Sequence, residues 1–235
     1  MKYLIADLIV EIPEAGGMAP RCREYLVETQ VPADIVIRQE EYQALPVYGN
    51  SEAVMANHES AGLFYMNLLR FDGMLLHASA AVLDDKAYLF SGYSGVGKST
   101  HTRLWQQCFG DRVQIINDDK PALRLLDGTW YAYGTPWCGK NDIQINRKAP
   151  VAGICFMEQG TENRIRRLEP AEAVPLVMGQ TLFRLCKQEN TVRLLKLVDA
   201  LVRTVPIYLL VNRPEPAAVQ LSMETMRAGA VQAGL

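Results

Sequence analysis

The stretch Tyr88-Leu89-Phe90-Ser91-Gly92-Tyr93-Ser94-Gly95-Val96-Gly97-Lys98-Ser99-Thr100 decides the reading of this chain. An apolar, β-prone run leads into it, and a helical pattern from Thr100 to Cys108 leads out. Between them, Gly92 to Ser99 matches the pattern G-x-x-x-x-G-K-[ST] in full. Glycines let the backbone curl with its N–H groups turned inward. A helix that starts there adds free N–H groups and the positive end of its dipole. Together they make an anion site the size of a triphosphate tail. The spacing assigns Gly92, Ser94, Gly95, Val96, Gly97, Lys98, Ser99 and Thr100 to the nucleotide phosphates. Lys98 would bridge the β- and γ-phosphates, and the Ser99 hydroxyl would ligate Mg²⁺. The competing reading is an ordinary Gly-rich strand-to-helix turn.

Working outward, Met74 to Leu83 reads as one strand passing through His77. Asp84-Asp85-Lys86 is a turn, and Ala87 to Phe90 returns beside the first strand as a hairpin. Downstream, Val113 to Ile116 is a strand that ends at Asn117-Asp118-Asp119. A single loop-and-helix excursion would bring that end back beside the glycine loop. Adjacent carboxylates there can divide the work of phosphoryl transfer. One would hold the metal and the other would take the acceptor's proton, either way round. The alternative is an Asp-Asp turn or helix cap. His77 is either a satisfied core histidine or a group that orients a carboxylate and raises its basicity.

The rest of the chain supplies a frame. Residues 2–12 and 34–38 are β-prone and predict a small β-rich lobe over residues 1–65, followed by a catalytic domain over 66–235. A polar segment runs to about Asn57, and His58 to Phe71 predicts a helix. Asp127-Gly128 predicts a hairpin. Val151 to Met157 is a buried strand, with Arg164 to Leu168 expected to pair with it across Gly160. A broken helical region to Arg203, a strand from Pro206 to Val211 and a C-terminal helix over 215–229 complete the pattern. The segment from Gly134 to Asp142 either covers the nucleotide or acceptor, or merely connects two strands with Trp137 packed on the core. Arg164, Arg166 and Arg167 read as a solvated strand edge, the alternative being a phosphate clamp.

Composition narrows the classes. The 235 residues are 49% hydrophobic and carry a formal net charge of −2, which gives no field suited to nucleic acid or an anionic membrane. No apolar run is long enough to span a bilayer, and the N-terminus lacks the apolar stretch of a signal peptide. Five scattered cysteines, Cys22, Cys108, Cys138, Cys155 and Cys186, form no CxxC pair and read as reduced thiols of a cytoplasmic protein.

A His-bearing strand, a hairpin, a loop of the form G-x-S-G-x-G-K-S and a following Asp-Asp pair resemble the catalytic domain of HPr kinase/phosphorylase. That domain shares its core with the phosphoenolpyruvate carboxykinases. The resemblance is good over residues 70–125 and looser to about 210. It looks closest to the short HPr kinase-like proteins, some of which phosphorylate a serine of a precursor peptide. The resemblance implies an α/β P-loop kinase core with a mixed sheet and flanking helices. It implies ATP and Mg²⁺ as cofactors, the loop Gly92–Ser99 as the ATP site, Asp118 as general base, and Asp119 close to the metal. His77 matches the histidine before the hairpin. The expected activity is transfer of the γ-phosphoryl group to an alcohol, a serine hydroxyl of a peptide, a protein or a small molecule. Homo-oligomerisation stays open. The rivals are a nucleotide-dependent hydrolase or switch, and a non-catalytic nucleotide-binding scaffold.

Overall fold

The computed structural model describes residues 1–13, 19–38, 52–182 and 188–235. Cys186 and most of the polar segment before the first long helix lie outside them.

Two adjacent hairpins and one long strand organise the main sheet. Strands β5 (Ala78–Leu83) and β6 (Lys86–Ser91) pair antiparallel. Their turn is Asp84-Asp85, with φ of 49° and 59°. Both values lie in the left-handed region that a two-residue hairpin turn requires, and aspartate tolerates it. Strands β8 (Ala122–Leu126) and β9 (Thr129–Tyr133) do the same through Asp127-Gly128. Strand β7 (Val113–Asp119) lies antiparallel on the far side of β5. The twelve-residue β10 (Lys148–Gln159) joins the two halves. Its first residues pair antiparallel with β9, and after a register shift between Val151 and Gly153 it runs parallel to β6. Its second half also runs parallel to β12 (Ile207–Asn212). The result is a curled mixed sheet of nine strands, with β4 (Gly73–Leu75) beside β8, and β11 (Arg164–Arg167) beside β12.

Helices cover both faces of this sheet, so its central strands are apolar on both sides. In β6, Ala87 and Leu89 face the core under α4 (Pro170–Gly179) and α5 (Gln188–Thr204). Tyr88 and Phe90 face α3 (Lys98–Phe109) and α6 (Pro216–Gln232), against Trp105, Val219 and Met226. A small second sheet of β1 (Lys2–Ile5), β2 (Leu8–Glu11) and β3 (Ile35–Val36) shares a core with α2 (Glu52–Leu68) and with Leu75, Ala122 and Tyr133 of the main sheet. Arg124 fastens the two sheets: its buried guanidinium donates to the carbonyls of Ala6 (2.7 Å) and Phe71 (3.1 Å). Among the described residues no helix is long and apolar enough to cross a membrane.

Several sequence expectations need correction. Residues 2–12, β-prone throughout, form a hairpin turned at Ala6-Asp7 with φ of 53° and 60°. Alanine at a left-handed position carries no turn signature, so the break was silent. The run Met74–Leu83 is two strands, β4 and β5, interrupted at Leu76-His77. The helix expected from His58 begins at Glu52 and ends at Leu68, with a 3₁₀ turn to Phe71. Strand β7 continues through the aspartates instead of stopping at Ile116. Strand β11 pairs with β12, not with β10, because β12 arrives later in the chain and takes the place between them.

Gly134 follows β9 where the backbone is tightest. A Cβ there would sit 1.9 Å from the Ile145 carbonyl oxygen and 2.6 Å from that of Ile116. Both atoms are backbone and cannot swing away. Gly134→Ala is expected to lower stability by about 1–3 kcal/mol, read as a lower denaturation midpoint, since overpacking must be relieved by backbone shifts.

Candidate functional site

The end of β6 turns sharply at Gly92, whose φ is 140°. A Cβ at Gly92 would lie 3.1 Å from the Met157 carbonyl oxygen. Gly95 and Gly97 also have positive φ, 84° and 109°, and α3 begins directly at Lys98. The loop therefore needs glycine at three places for backbone reasons alone. The buried Lys98 ammonium folds back to donate to the carbonyls of Gly92 (2.9 Å) and Tyr93 (3.2 Å). Burial lowers the Lys98 pKa, and the charges of Asp119 and Asp118 work against that shift. The Ser99 hydroxyl has no hydrogen-bond partner among the described residues.

Across a cleft of about 640 Å³ from this loop stands the end of β7. Asp118 pairs in register with Ser79 of β5, and the Ser79 hydroxyl donates to Asp118 Oδ1 at 2.9 Å. Ser79 Oγ is also 2.8 Å from Thr102 Oγ1 of α3, which links the strand pair to the helix behind the loop. Asn141 Nδ2 donates to the other oxygen of Asp118 at 3.3 Å. The Asp118 carboxylate is thus buried, oriented on both oxygens and still lines the cleft. Asp119 is held differently. Its Oδ1 lies 3.1 Å from His77 Nε2, and its Oδ2 pairs with the Lys120 ammonium. Burial would raise the Asp119 pKa, but the hydrogen bond from His77 and the charge and hydrogen bond of Lys120 hold it well below the usual carboxylate range. His77 is fixed in turn by Gln180 at the end of α4, through its backbone N–H (2.8 Å) and through Nδ1 to Oε1 (3.0 Å).

The backbone under both aspartates is set by Asn117. Its Oδ1 accepts from the N–H groups of Asp119 (2.9 Å) and Lys120 (2.7 Å). Its Nδ2 donates to the Thr135 carbonyl at 3.0 Å, and so anchors the segment 134–142. Trp137 is fully buried and stacked on Phe64, while Cys138, Gly139, Lys140 and Asn141 line the cleft. Arg21 also reaches the cleft, pairs with Asp142 and donates to the Cys138 carbonyl at 3.4 Å.

The structure therefore brings His77, Ser94, Gly95, Gly97, Lys98, Ser99, Thr100, Asp118 and Asp119 to one cleft, with Gly92 and Val96 shaping the loop behind it. Sequence reasoning missed Ser79, Lys120, Asn141, Gln180 and Arg21. Ser79 had a usable signal, since it stands two residues after His77, at the start of β5. Gln180 and Arg21 come from distant segments and gave none. Arg164, Arg166 and Arg167 are exposed on β11, which borders β12, and Arg166 pairs with Glu172. Burial pushes His101, behind the loop, down to about 4, so its ring is neutral near pH 7. Among the described residues no group of three or more His, Cys, Asp or Glu side chains is placed to hold a metal ion.

No protein-family model matches the chain, and no curated protein matches it. Among solved structures, the HPr(Ser) kinase/phosphatase from Coxiella burnetii aligns with 13% identity and a TM-score of 0.38, over 64% of this chain and 95% of that one. The cleft's own residues therefore carry the functional reading.

The depressed Asp119 carboxyl gives stability that is complete above its unfolded value and lost as pH falls through the carboxylate range toward its folded value. In urea unfolding between about pH 6 and about pH 3, the wild type should lose stability more steeply than Asp119→Asn below about pH 5. Parallel curves would show that the His77 and Lys120 contacts do not hold the carboxylate charged.

Proposed function

We propose that this protein is a kinase that transfers the γ-phosphoryl group of a nucleoside triphosphate to an alcohol, a serine hydroxyl of a peptide, a protein or a small molecule. One observation carries the reading. A buried carboxylate, Asp118, is oriented by Ser79 and Asn141 across a shared cleft from Lys98 and a glycine loop that opens onto a helix.

In this reading the loop amides and the start of α3 hold the phosphates. The Lys98 ammonium has three donors and spends two on its own loop carbonyls, so it can turn toward phosphate oxygens without crossing the cleft. Asp118 accepts the proton of the acceptor hydroxyl. The acceptor oxygen then bonds to the γ-phosphorus as the bond from that phosphorus to the β–γ bridging oxygen breaks, and the nucleoside diphosphate leaves. Positioning and charge neutralisation dominate such a transfer.

Mg²⁺ fits the residues present as an ion shared between protein and phosphates, since it commonly takes one or two protein ligands and completes its shell with phosphate and water. Ser99 supplies a free hydroxyl and Asp119 a carboxylate whose oxygens keep lone pairs beyond the bonds to His77 and Lys120. When bound, it would offset charge on the β- and γ-phosphates. His77 is then a positioning residue, acting through Asp119.

The test is transfer from γ-labelled ATP with Mg²⁺ to a panel of serine-bearing acceptors. Label on a serine hydroxyl is expected, and Asp118→Asn should reduce it by about 100-fold or more while ATP still binds. Label appearing only as inorganic phosphate across a broad panel would replace the kinase with a hydrolase.

A further inference from the structure

The cleft carries more positive charge than the transfer itself uses. Arg21, Lys98, Lys120 and Lys140 line it, against the carboxylates of Asp118 and Asp119. Lys98 belongs to the glycine loop, and Lys120 is paired with Asp119. Arg21 and Lys140 have no part in either arrangement, and both stand on the side of Asp118. Residues 138–141 wrap the strand end that carries it. Gly139 packs so closely that a Cβ there would lie 2.8 Å from the Asp118 carbonyl oxygen, and Asn141 donates to Asp118 Oδ2. Lys140, between these two residues, is exposed and enters no ion pair among the described residues. Arg21 grips the same segment through the Cys138 carbonyl at 3.4 Å.

Arg21 comes from the small lobe, and its position is fixed by the chain that leaves the cleft. Gln144 Nε2 donates to the Arg21 carbonyl at 2.9 Å. Asn146 Nδ2 donates to the carbonyls of Glu24 (3.3 Å) and Leu4 (3.4 Å). The backbone around Arg21 is thus tied to the segment that carries Lys140 and Asn141. A guanidinium has five N–H donors. This one spends one on Cys138 and pairs with Asp142, whose side chain is 64% exposed. An ion pair so open to water contributes little. An anion that enters the cleft can therefore take over Arg21 at small cost.

We propose that Arg21 and Lys140 select the acceptor by holding a carboxylate that lies beside the hydroxyl to be phosphorylated, so that the protein prefers an acidic acceptor. This rests on the kinase reading for the cleft and names its acceptor class. The phosphates lie on the side of the glycine loop, across the cleft from Asp118. An acceptor whose hydroxyl reaches Asp118 keeps its remaining atoms toward residues 138–141, where the two cations stand. The planar fork of arginine matches a carboxylate with two parallel hydrogen bonds, and the lysine ammonium adds charge without fixing direction. A neutral acceptor leaves both cations without a counter-charge, and a basic one meets repulsion, so charge discriminates among acceptors. The small lobe is then part of the acceptor site, because Arg21 is its contribution to the cleft wall.

The test measures kcat/KM for label transfer from γ-labelled ATP to two matched pairs of acceptors. Acetyl-Glu-Ser-Glu-amide against acetyl-Gln-Ser-Gln-amide reads a carboxylate on a flanking side chain. N-acetylserine against N-acetylserinamide reads a carboxylate on the serine itself. The acidic member of at least one pair should be preferred by about tenfold or more in the wild type, and the pair that shows it names the source. Arg21→Gln and Lys140→Gln should each shrink that ratio several-fold, and Arg21→Glu should bring it to unity or below. The ratio is taken within one protein, so a loss of folded material cancels from it. Equal use of both members of both pairs by the wild type would overturn the carboxylate site and leave the kinase standing. So would an equal loss on both members in Arg21→Gln, which would place Arg21 with the phosphates or the packing of the lobe. Label on no serine of any acceptor would overturn the kinase reading as well.

Discussion

The side-chain amide of Asn117 is the constraint on which the cleft depends. It is fully buried where the pairing of β7 with β5 shifts register, beside Ala80. An amide buried there must satisfy both its oxygen and its nitrogen, because the unmet half would carry the full cost of desolvation. The oxygen closes on the two following N–H groups and fixes the backbone that carries Asp118 and Asp119. The nitrogen closes on Thr135 and brings the segment with Asn141 alongside. One group thus sets both walls around the carboxylates. Asp118 N donates to the Ile143 carbonyl at 3.2 Å, and Ile145 N to that of Ile116 at 2.9 Å, so the returning chain zips to the same strand.

Asp118 and Asp119, though adjacent, come under different control. Asp118 is surrounded by neutral donors, Ser79 and Asn141, and keeps an orientation without a cationic partner. Asp119 lies between the imidazole of His77 and an ammonium and is held charged. A strand alternates its side chains between faces, so neighbouring residues meet different neighbours. That alternation makes a division of labour between consecutive carboxylates possible without any further element.

The parts of this arrangement legible in the sequence were those with local chemistry. Asp84-Asp85 and Asp127-Gly128 marked hairpins because left-handed turns select those residues, and the glycine loop was marked because three of its positions need glycine. The break at Leu76-His77 was hidden because no Gly, Pro, Asn or Asp marks it in a run otherwise small or apolar, and the turn at Ala6-Asp7 was hidden because its first residue is alanine. The partner of β11 was decided by β12, a strand forty residues further on, which no local pattern reports. The same holds for the site. His77, Lys98, Ser99, Asp118 and Asp119 were found by spacing, whereas Gln180 and Arg21 reach the cleft through tertiary packing alone.

The hydrogen bonds from Lys98 to its own loop carry a consequence for entropy. Fixing the backbone of one residue takes roughly 1–2 kcal/mol of conformational entropy. A glycine-rich loop has the most freedom to lose, and here its curl is already held by the ammonium of the residue that closes it. The ordering of the loop therefore belongs to the folding reaction and not to ligand capture. An anion arriving at the loop meets a receptor that is already shaped, and exchanges one set of partners for Lys98 in place of assembling the whole loop around itself.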